Sequence, residues 1–126
     1  MNDEEYRLHC LEVLGQFTLF MQQQSEASSP DDPIRELNEG FTRISGGENL
    51  YQDGPNLVTR LFASCPHLSP AFPRELLWFL GGDCLHNMPD EEIALYQQLD
   101  ELRQQASARG EILNLPDARA KLLKLQ

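Results

Sequence analysis

The sequence predicts an all-α protein, an irregular bundle of five or six helices in a single domain spanning residues 1–126. Three observations carry that expectation. Apolar residues recur at steps of three and four, the period of one helix face, along most of the chain. Prolines next to acids, and paired glycines, mark where those stretches begin and end. The one apolar run that would suit a buried strand, Leu76 to Leu80, has no second strand-like segment to pair with.

The first helix is expected from about residue 3 to about residue 24. Tyr6, Cys10, Val13, Leu14, Phe17, Phe20 and Met21 share one face, and Asp3, Glu4 and Glu5 sit at the positive end of the helix dipole. Residues 25–33 read as a linker, with two prolines, three acids and no large apolar side chain. Asp32 then suits an N-cap with Pro33 in the first helical position. Ile34, Leu37, Phe41 and Ile44 make the buried face of a second helix that ends at Gly46-Gly47.

Residues 46–54 read as a flexible loop, and a third helix is expected after Asp53-Gly54-Pro55, burying Leu57, Val58, Leu61 and Phe62 until Pro66 stops it. Ser69 to Pro73 reads as a turn. Pro73 opens a fourth helix, whose apolar run Leu76 to Leu80 marks an enclosed segment, and Gly81-Gly82 bends or splits it. Pro89 followed by Asp90, Glu91 and Glu92 starts a fifth helix with Leu95, Leu99, Leu102 and Ala106 as its stripe. Gly110 closes it, and a last helix begins near Pro116-Asp117.

Composition then limits the function classes. With 40% hydrophobic and 24% charged residues, the chain has enough apolar material to bury a core, so wholesale disorder is not expected. No apolar run approaches the roughly 20 residues that a spanning helix needs. The formal net charge is −10, and residues 1–54 carry −8 of it: eleven acids stand there against Arg7, Arg35 and Arg43. Such a surface repels phosphate, so direct nucleic-acid binding is not expected. A basic protein partner fits it better, and acidity that only keeps the protein soluble is the plainer explanation. The acidic start and the three cysteines argue against secretion and a disulfide framework, leaving the reducing cytoplasm as the expected location.

The most unusual pattern is that every cysteine lies within two positions of a histidine: His9-Cys10, Cys65-Pro66-His67 and Cys84-Leu85-His86. Thiolate and imidazole together suit zinc or another transition metal, with Cys65, His67, Cys84 and His86 as the candidate ligands. The competing explanation is three small buried cysteines with surface histidines beside them. No CxxC, HExxH or zinc-finger spacing supports the metal, and no other cofactor is implied.

The segment from Trp78 to Asp90 gathers the most chemistry, and Trp78, Asp83, Cys84, His86 and Asn87 form the candidate functional patch. Asp83 would orient His86 for proton transfer and Cys84 would serve as nucleophile. Each also has a structural use: paired glycines for close packing, and Asp83 and Asn87 as caps. No phosphate loop and no hydrolase triad is present. The favoured reading is therefore a small acidic cytosolic helical protein that acts by protein–protein interaction or regulation, with a basic partner or as a homodimer. The alternative is a metal- or ligand-binding protein, an enzyme included, built on Asp83-Cys84-Leu85-His86.

Overall fold

The computed structural model describes residues 2–125, the side chains of Asp83 and Leu125 excepted. It is all-α, and no strand occurs among the described residues. The α-helices are α1 (Asp3–Glu26), α2 (Pro33–Ser45), α3 (Leu50–Ser64), α4 (Arg74–Leu80), α5 (Asp90–Ala108) and α6 (Leu115–Leu125). Two 3-10 helices, Pro66–Ala71 and Gly82–Asn87, flank α4. Among the described residues no helix is long and apolar enough to cross a membrane.

Local chemistry explains the helix ends. At the start of α1, the Asn2 side chain accepts the Glu5 N–H at 2.8 Å while the Glu5 carboxylate accepts the Asn2 N–H at 3.2 Å, a reciprocal capping box. Asp32 caps α2 as its sequence suggests: its Oδ1 accepts the Ile34 N–H at 3.0 Å, and Pro33 occupies the first helical position. The Gly46 N–H bonds back to the Arg43 carbonyl and ends that helix.

The third helix differs from expectation. It begins at Leu50, so the connection from α2 is 46–49 and not 46–54, and Pro55 lies inside the helix. The reason is packing. Leu50 is only 3% exposed, and seating it extends the helix backward past a proline that removes one N–H donor. Gly47 at φ 91° and Asn49 at φ 53° make the left-handed bend that allows this early start. The expected turn at Ser69–Pro73 is mostly the 3-10 helix Pro66–Ala71, which buries Leu68; proline's fixed φ suits that tighter winding.

The chain gathers into two compact units: His9–His86, and Met1–Leu8 with Asn87–Gln126. In the first, Cys10, Leu14, Phe17 and Met21 of α1, Ile34, Leu37, Phe41 and Ile44 of α2, and Leu57, Val58 and Leu61 of α3 are buried. Its centre is aromatic. The Phe17 ring stands edge-on to Phe41 at 5.5 Å and to Phe72 at 5.0 Å, and Phe62 meets Phe72 at 6.2 Å.

In the second unit α5 buries Leu95, Tyr96, Leu99, Arg103 and Ala106, and α6 buries Leu115 and Ala118. The expected stripe through Leu102 is therefore corrected: Leu102 is half-buried and Arg103 takes the inward position. The guanidinium of Arg103 lies 4.7 Å from the centre of the Tyr6 ring and donates from Nη1 to Asp3 Oδ1 at 2.9 Å. Its aliphatic stem fills apolar space, which is how an arginine replaces a leucine on a buried stripe.

Candidate functional site

The segment after α4 takes its shape from Gly81 and Gly82. A Cβ at Gly81 would run into the Leu77 carbonyl oxygen and meet Leu85 at 3.1 Å, and Gly82 sits at φ +49°, where a side chain strains the backbone. Together they turn the chain from α4 into the 3-10 helix Gly82–Asn87. In that winding, three residues per turn place Cys84 and His86 about 120° apart. Cys84 is 4% exposed, whereas His86 and Asn87 are exposed and Trp78 is half-buried. The side chain of Asp83 lies outside the described residues. The N-cap position of α5, expected at Asn87, is held by Pro89, which makes no side-chain cap bond.

Cys84 is placed as a core thiol. Its Sγ lies 3.6 Å from Thr59 Oγ1, and that hydroxyl also donates to the Pro55 carbonyl at 3.0 Å. With the hydroxyl hydrogen committed to Pro55, the thiol is the donor in the Cys84–Thr59 contact. A nucleophile needs an accessible sulfur, and this one is buried.

The metal-ligand set does not assemble. Cys65 is 1% exposed while its neighbour His67 is exposed, and the same split separates Cys84 from His86. Among the described residues no three His, Cys, Asp or Glu side chains are placed to hold a metal ion. Burial pushes the Cys65 thiol above its ordinary value, and the negative charge of Asp32 adds to the effect.

Two features that sequence reading missed define the polar chemistry of the His9–His86 unit. His9, expected at the surface, is half-buried, and its Nε2 lies 2.6 Å from Glu75 Oε1, tying α1 to α4. The signal was the acid in the first turn of α4, but nothing in the chain order says which helix it faces. The second is a groove of about 470 Å³ between α1 and α2, lined by Gln22, Asn38, Glu39, Thr42 and Arg43. Asn38 Oδ1 is screened from solvent and has no hydrogen-bond partner. Glu39 and Arg43, one helical turn apart, form no ion pair with each other among the described residues.

The surface of the same unit is acidic: Glu12, Glu26, Asp31, Glu36, Glu39 and Glu48 are exposed. Arg60 reaches Glu36 at 3.2 Å, but Arg35 turns its guanidinium to the carbonyls of Ser28 and Ser29, at 3.0 and 3.2 Å. Leu19 (63% exposed) and Tyr51 (60%) are exposed large apolar side chains of the same unit.

These features define a class: an acidic all-α protein with buried thiols and an open polar groove. A family model described as PA2817-like matches residues 1–126, and the chain belongs to that PA2817-like family. No curated protein matches it, and no solved structure does.

Proposed function

We propose that this chain is a protein-interaction module that receives a basic partner on the acidic surface of its His9–His86 unit. The observation that carries the reading is the incomplete internal neutralisation of that surface. Arg35 is turned to backbone carbonyls, Arg43 makes no ion pair among the described residues, and most of the exposed acids are left to solvent. Unneutralised charge of one sign accelerates encounter with an oppositely charged partner and discriminates against acidic ones. Exposed Tyr51 and Leu19 provide the apolar contact that charge alone does not. Three buried thiols, Cys10, Cys65 and Cys84, suit a reducing compartment such as the cytoplasm.

Fluorescence anisotropy with labelled octalysine tests the reading. Binding is expected at low salt and is expected to weaken about tenfold or more on approaching physiological ionic strength, with octaglutamate inert. Absent binding at low salt, or binding indifferent to salt, would refute it.

A further inference from the structure

We infer that the basic partner is a second copy of this chain, whose α6 docks on the outer face of α1; this deepens the acidic-surface reading above and rests on it. The argument starts from α6, the one helix among the described residues with a positive net charge: Arg119, Lys121 and Lys124 stand in it against Asp117. Both lysines of the chain lie there. The helix turns Leu115 and Ala118 inward, which sends Arg119, Lys121 and Lys124 to solvent. None of these three cations makes an ion pair among the described residues. Leu123, 46% exposed, lies between Arg119 and Lys124 along the helix, so the uncovered side of α6 runs cation, leucine, cation.

The outer face of α1 presents the complementary order. Glu12, Leu19 and Glu26 follow one another at about two helical turns, so they form one line along the helix, and all three are exposed. Neither acid makes an ion pair among the described residues. With Leu123 set against Leu19, the cations of α6 face the acids of α1 around an apolar centre, the arrangement of a small specific interface. Charge selects this occupant, because in a chain of net charge −10 only α6 offers a helix that an acidic face attracts. Long-range repulsion between two acidic chains opposes the encounter. At physiological ionic strength, screening over about 8 Å suppresses that repulsion and spares ion pairs in contact. Association is therefore stronger there than at low salt. Each copy gives its α6 and receives the other's, so the contact forms twice and closes as a dimer.

The experiment is sedimentation equilibrium of the full chain near physiological ionic strength, where the unaltered protein is expected to approach the mass of a dimer as its concentration rises. The double variant Arg119→Glu with Lys124→Glu is expected to weaken association about tenfold or more, at unchanged helix content by circular dichroism. Glu12→Lys with Glu26→Lys is expected to do the same. Mixing the two double variants is expected to restore association, because acid then meets base at both contacts while each variant keeps a net negative charge. A dimer that survives either double variant, or a mixture no better than its components, would overturn the inference. A monomeric unaltered chain that still binds octalysine at low salt would overturn the second copy and leave the acidic-surface reading intact. Absent octalysine binding would remove both. A monomer that pellets with phosphatidylglycerol vesicles would assign α6 to an anionic lipid surface and overturn the inference as well.

Discussion

Phe72→Ala is expected to destabilise the protein by about 3–5 kcal/mol, the largest effect of any single truncation considered for this core. Phe72 is 2% exposed and lies outside the α-helices, just past the 3-10 helix Pro66–Ala71. Its ring nevertheless joins side chains from three helices: Phe17 of α1 at 5.0 Å, Phe41 of α2 at 6.0 Å and Phe62 of α3 at 6.2 Å. Truncation leaves a ring-sized cavity that helices fixed to one another fill poorly, and removes three aromatic pairs at once. By thermal unfolding followed with circular dichroism, the Tm should fall by about 10–20 °C. The control is Tyr51→Ala. Tyr51 also meets another ring, Phe79 at 5.7 Å, but is 60% exposed, and its loss should cost less than about 1 kcal/mol. Similar Tm losses from the two substitutions would contradict this account of the core.

The second large effect is expected at Gly81, where alanine should cost about 2–3 kcal/mol. The backbone at Gly81 is ordinary right-handed geometry, so the cost is steric: the added methyl meets the Leu77 carbonyl, a backbone atom that moves only if α4 moves with it. Gly15 gives the opposite sign for the same substitution. It lies within α1, a Cβ there meets nothing within 4 Å, and alanine should stabilise the helix by about 0.5–1 kcal/mol. Urea unfolding of both variants measures the pair. A neutral Gly81→Ala would mean that the turn after α4 is set by something other than this close approach.

Much of this fold was legible in the sequence because its signals are local. Asp32-Pro33 and Gly46 bracket α2, and the acids after Pro89 mark α5, since caps and dipole charges act within one turn of the residues that carry them. The failures are tertiary. The early start of α3 depends on where Leu50 is buried, and its sequence neighbourhood of glycine, asparagine and proline argues for a loop. Arg103 was invisible as a core residue because a pattern of apolar spacing counts arginine as outward, whereas its stem and the Tyr6 ring make it an inward one.

The site was less legible than the fold. Three cysteine–histidine pairs suggested a metal centre, but adjacency in sequence brought no donor set together among the described residues, and the thiols went inward while His67 and His86 stayed out. The groove combines Gln22 with residues 38–43, and the stranded acceptor in Asn38 exists only once α1 and α2 are packed. Only the acidity of the first half could be read directly, because charge is a sum over residues and needs no fold.

The central claim, that a basic partner is received on the acidic surface of the His9–His86 unit, is tested most directly by backbone amide NMR shifts during an octalysine titration at low salt. The account predicts that the largest shifts fall at the exposed acids of that unit, Glu12, Glu26, Asp31, Glu36, Glu39 and Glu48. Shifts centred instead on Asp90, Glu91 and Glu92, which carry a comparable density of charge at the start of α5, would contradict it.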